Sequence, residues 1–398
     1  MKYLLTEQAS TAGKSVVFDD MILTKDLPTT AGSKMLEGYM SLFDAEVVTR
    51  LNAAGYTTVG KANVGEMCVD VLGESSAFGA STDENGKLVG ASAALVAKGD
   101  ATVAIGLDAG GTPRRAAALG GCVCVKPTYG TVSRFGTVSI ACSGETVTVT
   151  AKTVADAREA LAAIAGHDEK DGTSLAEEKC ALVAQAPVKA SRVAIAKSIT
   201  ESADAEMRAK VASVRAALEK NGITVEEIDD TLLQKAGTAW GILMSAELCN
   251  NVSRYDGVKY GYRTKNYKTI DELYTNSRTE AFGKLLKTVI LYGSETLSTE
   301  NYMKVYDKAL RMRRVIAERF AEIFESFDAV LMPVASRTVF CPKCVAKYTL
   351  AYDEQLYTAP ASITGLPAVA LDGVQLVGKA FEENKLYYLA EIVEKEAK

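Results

Sequence analysis

Residues 106–136, GLDAGGTPRRAAALGGCVCVKPTYGTVSRFG, hold the chain's densest run of residues able to do chemistry. Gly110 and Gly111 stand directly before Thr112 and Pro113. Consecutive glycines permit backbone shapes closed to other residues and leave amide N–H groups uncovered. A turn of this kind feeding a helix can hold an anion or a developing oxyanion. Proline is tolerated at the first helical position, so a helix is expected to begin at Thr112. The same residues also fit a tight turn packed under a sheet. No Gly-Lys-Ser/Thr ending follows, which excludes a P-loop, and GxGxxG is not matched, which argues against a dinucleotide site.

Other reactive residues are sparse. His167 is the single histidine, so a multi-histidine metal site is impossible. It sits in the polar run GHDEKD just past a helical pattern and reads as a solvated loop residue rather than the base of a Ser-His or Cys-His pair. Cys341 and Cys344 form one CxxC, which is half a zinc site without a second pair or a suitably spaced histidine. No metal and no cofactor is expected. Cys122 and Cys124 alternate in a strand-like segment and read as small core residues.

The elements that must position these residues alternate between helical and extended patterns, which points to an α/β architecture. DAEVVTRLNAAG reads as a helix capped by Asp44, followed by the strand YTTVG. TVADAREALAAIAG carries a capping-box variant from Thr153 to Asp156. RVAIA, SADAEMRAKVASVRAALEKNG and ITVEEID read as a βαβ unit. One amphipathic helix is expected over about residues 300–327, feeding the buried strand AVLMPVA, and LPAVAL and GVQLVG precede a last helix. The 398 residues are 48% apolar and 24% charged, ordinary for a globular chain. A net charge of -5 leaves no general basic surface for nucleic acid, so no direct nucleic-acid contact is expected. No apolar run is long enough to span a membrane, and no secretory signal is visible. The eight cysteines are therefore read as reduced thiols of a cytoplasmic protein.

GLDAGGTPRRAA followed by CVKPTYGTVSRFG resembles the core of the amidase signature. The resemblance extends through TKDLPTTAGSKMLEGY, FDAEVVTRLNAAGYTTVGKANVGE, SAFG, AELCNNVSRYDGVKYGYRT and YTAPASITGLPAVAL, covering roughly residues 13–385. It is strongest to the A subunit of the glutamyl/aspartyl-tRNA amidotransferase. It implies an α/β fold with one twisted mixed sheet covered by helices on both faces. Residues 1–398 would form a single amidase-signature domain lacking most of the usual N-terminal helical lead. It also implies B- and C-type amidotransferase subunits as partners.

Such enzymes hydrolyse amides with a lysine, a serine preceded by a cis peptide, and a nucleophilic serine. The lysine accepts a proton through the bridging serine, and backbone amides of the Gly-rich turn hold the oxyanion. Carried over position by position, GKSVVFDDMI puts Asp19 at the lysine, GKLVGASAALVAKG puts Leu88 at the bridging serine, and Thr112 stands at the nucleophile. Ala109, Gly110 and Gly111 fall at the oxyanion turn. Ser92, Ala93 and Ala94 fix this register. Lys61 matches a different family lysine, and Lys126 is read as structural or surface. The residues that would clamp a glutamine backbone are replaced by Thr288, Val289 and Gln355.

Leu88 has no donor or acceptor, so the hydroxyl relay is gone. An aspartate with an ordinary pKa of about 3.9 is a feeble base towards an alcohol. Thr112 is bulkier than serine and stiff about χ1. An inactive homologue kept as a structural or regulatory partner is therefore expected. The alternative is a weak or re-purposed amidase using Thr112, since an oxyanion hole stripped of its triad can still supply about 10³–10⁴-fold over water. A non-proline cis peptide costs about 2.5–4 kcal/mol, and with no serine to orient, the peptide before Leu88 is expected to be trans.

Overall fold

A computed structural model of the chain describes residues 3–8, 13–342, 345 and 349–396. The eleven strands are β1 (Leu4–Glu7), β2 (Ser15–Asp19), β3 (Thr57–Ala62), β4 (Val103–Asp108), β5 (Val123–Lys126), β6 (Thr146–Ala151), β7 (Arg192–Ala196), β8 (Thr224–Ile228), β9 (Ala329–Pro333), β10 (Ala368–Leu371) and β11 (Val374–Gly378). They form one sheet in the order β1-β3-β2-β4-β6-β5-β10-β11-β9-β7-β8. The sheet is mixed. β3, β2 and β4 run parallel, as do β9, β7 and β8, while β4 through β9 are joined by antiparallel pairs.

The central strands are buried along their whole length because helices flank the sheet, and they read as continuous apolar or small-residue runs. The helix Val154–Ile164 begins as its sequence dictates, with Thr153 Oγ1 accepting from the amide of Asp156 at 3.1 Å. Asp204 caps Ala205–Lys220 in the same way, and this helix with Lys197–Ser202 makes the crossover from β7 to its parallel partner β8.

Two expected boundaries need correction. Ala45, not Asp44, caps the helix Glu46–Ala53, because the Asp44 carboxylate accepts from the amide of Lys25 instead. The long helix is divided: Tyr302–Tyr306 is a π-helical turn, and only Asp307–Ile323 is regular α-helix. The wider turn is anchored by Asn301, which bonds Glu295 before the chain enters it.

The helices Lys284–Thr296 and Gln355–Thr364 both pack on Lys235–Asn251. Trp240, fully buried on the last of these, donates its indole N–H to the Ala109 carbonyl at 2.7 Å. That bond fixes the turn against the helical layer.

Candidate functional site

The end of β2 delivers Asp19 beside Gly106 of β4. A Cβ at Gly106 would lie 2.6 Å from Asp19 Oδ2, so the missing side chain makes room for the carboxylate. The helices Ala91–Lys98 and Thr112–Leu119 meet over β4, inside the sheet. They approach so closely that a Cβ on Gly90 would stand 2.2 Å from that of Ala116. Between these elements lies a cavity of about 30 Å³, lined by Asp19, Cys68, Ser92, Gly106, Thr112 and Thr150, among others.

Asp19 and Thr112 are thus brought together as the sequence leads one to expect. The third wall residue is Ser92, which donates its hydroxyl to Asp19 Oδ1. Thr112 donates its hydroxyl to the Asp70 carbonyl at 3.0 Å. Leu88 lies elsewhere. Its amide donates to the Phe340 carbonyl at 2.9 Å, and its side chain lines a neighbouring cavity with Val89, Ala94, Leu119 and Val339. The peptide before Leu88 is trans, as is every other peptide bond among the described residues. In the sequence Ser92 serves only as a register marker. The signal that could have found it is its place as the second residue of a helix whose start faces the sheet.

Burial pushes the Asp19 carboxyl up to about 7; the Ser92 hydrogen bond and Lys61 pull it down, and Asp20 pushes it further up. Lys61 is fully buried and pairs with Asp20 at 3.3 Å, also donating to Thr29 Oγ1 at 2.8 Å and to the Ile22 carbonyl. Its charge is therefore shared, and burial lowers its own pKa. Cys68 is buried too, and burial holds its thiol well above the ordinary range. Met67 and Cys68 both adopt left-handed backbone, with φ of 51° and 50°. Such non-glycine conformations cost on the order of 1–3 kcal/mol each and persist only where surrounding contacts enforce them.

The Gly-rich turn is held rigidly. Gly111 has φ +90° and a Cβ there would meet Thr358 Cβ at 2.3 Å, so only glycine fits. The Gly111 amide donates to Asp108 Oδ1 at 3.1 Å, and the Gly110 carbonyl accepts from Thr358 Oγ1 at 2.8 Å. Arg114 binds both oxygens of Asp108, at 2.8 and 3.1 Å, and reaches Gln375, Ser362 and the Thr358 carbonyl. Burial acts to raise the Asp108 pKa, but the Arg114 charge outweighs it and the value is lowered.

Thr288, Val289 and Gln355 do not line the cavity. Thr288 bonds back to the Lys284 carbonyl on its own helix, Val289 is buried, and Gln355 is buried against Met244. Lys126, read as structural or surface, is fully buried and donates to the Leu366 carbonyl at 2.8 Å; burial brings its pKa down to about 7. His167 is exposed, as expected, with Nδ1 3.0 Å from the Leu175 carbonyl. Cys341 is disulfide-bonded, which corrects the reading of eight reduced thiols. Cys344 lies outside the described residues. Among those residues no cluster of acidic, cysteine or histidine side chains could hold a metal, and no helix is long and apolar enough to cross a membrane.

Comparison with known proteins agrees with this geometry. The chain is 37% identical to the A subunit of glutamyl-tRNA(Gln) amidotransferase of Latilactobacillus sakei, across 94% of this chain and 81% of that protein. It is 36% identical to its counterpart in Coxiella burnetii, across 96% and 83%. The solved structure of the A subunit of glutamyl-tRNA(Gln) amidotransferase from Thermotoga maritima superposes with a TM-score of 0.83 at 28% identity, covering 99% of this chain and 87% of that one. The family model described as Amidase matches residues 9–387, which take in every strand from β2 to β11 and every wall of the cavity. This chain belongs to the amidase family.

Proposed function

We propose that this protein is an amidase-family homologue of the A subunit of the tRNA-dependent amidotransferase that no longer hydrolyses amides and serves as a structural or regulatory partner in the cytoplasm. Residues 1–398 act as a single amidase-signature domain in this reading. Its partners are B- and C-type amidotransferase subunits, which carry any contact with tRNA.

One observation carries the reading. The space between Asp19 and Thr112 measures about 30 Å³, whereas sites for small organic ligands run to about 300–1,000 Å³. A water fits there and a glutamine does not. Proton traffic is equally unfavourable. Thr112 spends its hydroxyl proton on a backbone carbonyl rather than a base, and Leu88, at the relay position, faces the neighbouring cavity. The Gly111 amide, at the oxyanion position, is engaged by Asp108. At the clamp positions, Thr288, Val289 and Gln355 offer no charge to a zwitterion.

The experiment is ammonia release from glutamine and a panel of simple amides, by the protein alone and after co-expression with B- and C-type subunits. No release above a Thr112→Ala control is expected, together with capture of the chain by those subunits. Release that vanishes in Thr112→Ala would establish instead the alternative, an amidase using Thr112 as nucleophile. Failure to bind either type would remove the partner role.

A further inference from the structure

The cavity beside Asp19 is too small for an amide substrate, yet its chemistry is specific. Asp19 is the only ionisable oxygen acid on its wall. Ser92 has committed its proton to Asp19 and Thr112 has committed its proton to the Asp70 carbonyl. Each hydroxyl therefore has only lone pairs left to offer. Asn63, also on the wall, is used up by Gly79 and Ser76. Apart from the weakly donating Cys68 thiol and the Thr150 hydroxyl, the polar side chains of this wall offer only acceptors around one carboxylate.

The buried cations nearby are each paired with another carboxylate, although Lys61 still acts on Asp19 through space. Lys61 pairs with Asp20, and Arg114 with Asp108. Arg115 pairs more loosely with Glu354, at 3.9 Å. Asp19 and Asp70 are buried nearby without a cation of their own among the ion pairs. Cys68 senses this field: after burial, it is the carboxylates of Asp19, Asp70, Asp20 and Asp108 that push its thiol up. A buried carboxylate is strongly disfavoured unless paired. On the register that the resemblance implies, Asp19 stands where the family's lysine would supply an ammonium group.

We propose that the cavity between Asp19, Ser92 and Thr112 binds one small monovalent cation, ammonium or potassium, held by the Asp19 carboxylate and the two hydroxyl oxygens. Size and ligand set select this class. The cavity of about 30 Å³ exceeds the roughly 10–15 Å³ needed to hold one water, so it takes a guest of one or two heavy atoms, a class that includes ammonium and potassium. Asp19 is the single carboxylate of the wall, so it balances one positive charge, and a divalent ion would leave a buried charge uncompensated; magnesium also retains several waters. The cation supplies the positive charge that a lysine would bring there. The proposal rests on cavity geometry and charge, and it stands or falls separately from whether amide hydrolysis survives.

The test is thermal unfolding of the full chain in ammonium chloride, potassium chloride or choline chloride at equal ionic strength. A saturable rise in Tm of about 2 °C or more over choline is expected for ammonium or potassium, and the salt that saturates at lower concentration identifies the preferred ion. Asp19→Asn should lose the rise. Asp19→Lys supplies its own ammonium group, so its Tm should be independent of the salt. If either variant fails to fold, Ser92→Ala should require at least about tenfold more cation for the same rise. Identical curves in all three salts would overturn the proposal, as would a rise that persists undiminished in Asp19→Asn or Ser92→Ala. Ammonia release, measured on the same preparations, reports on hydrolysis alone.

Discussion

Ser92 donates its hydroxyl to Asp19 across the junction between a helix start and a strand end, 73 positions apart in the chain. This contact joins the residue that the resemblance aligns with the family's lysine to a serine four residues beyond Leu88. It organises a wall of the cavity without recreating a proton relay to Thr112, whose own hydroxyl is bonded to the Asp70 carbonyl.

Asp19 makes stability depend on pH with a defined sign. Its carboxyl titrates at about 7 in the folded protein and near 3.9 in the unfolded chain. The folded state therefore binds more protons between about pH 4 and 7, and stability falls as pH rises through that window. Asp19→Asn should be more stable than the parent at pH 8, by on the order of 1–4 kcal/mol, and nearly equal to it at pH 4. Burial also raises Glu66 and Glu74 to about 7, so the difference between the two proteins is the quantity to read. Urea unfolding in buffers free of ammonium and potassium measures it.

Leu88 is a packing residue, 5% exposed against apolar neighbours. Leu88→Ser should therefore destabilise the fold by about 2–5 kcal/mol without producing ammonia release. A serine variant that gained hydrolysis would show that the relay position still communicates with Thr112. Chemical denaturation and an ammonia assay on one preparation distinguish the outcomes.

Arg114 is fully buried and satisfies Asp108, Gln375, Ser362 and the Thr358 carbonyl at once. Arg114→Met leaves the Asp108 charge buried without its partner. A loss of about 3–5 kcal/mol is expected, with the double variant Arg114→Met/Asp108→Leu recovering part of it. A double-mutant cycle in equilibrium unfolding provides the number.

Gly111→Ala should cost at least about 1–3 kcal/mol from left-handed backbone strain alone, with steric overlap against Thr358 added. Thr358→Ala should not rescue it, because the Cβ atom that remains is itself 2.3 Å from the new methyl group. Melting temperatures of the single and double variants test this.

The sequence by itself determined the family resemblance and the strand and helix alternation, and the resemblance aligned three residues with the family's catalytic positions. The elements follow from local order: Gly110–Gly111 before Thr112–Pro113 specifies a turn into a helix, and Thr153 caps the helix that its pattern announces. Asp19, Leu88 and Thr112 were singled out by that resemblance, since a shared scaffold sets the spacing of the positions along it. Only the tertiary structure decided which of those side chains meet. Leu88 faces a different cavity from Asp19 because the chain before Ala91 is bonded to Phe340, some 250 residues away. Ser92 takes up the contact instead because a helix start, a strand end and the gap at Gly106 converge. Lys126 was similarly illegible: its burial comes from β10 pairing beside β5 and the Leu366 carbonyl reaching its ammonium group. Spacing fixes which residues an element carries, but the direction of a side chain and the volume left between elements are set by packing contacts distant in sequence. Here that packing leaves a cavity of about 30 Å³ beside Asp19.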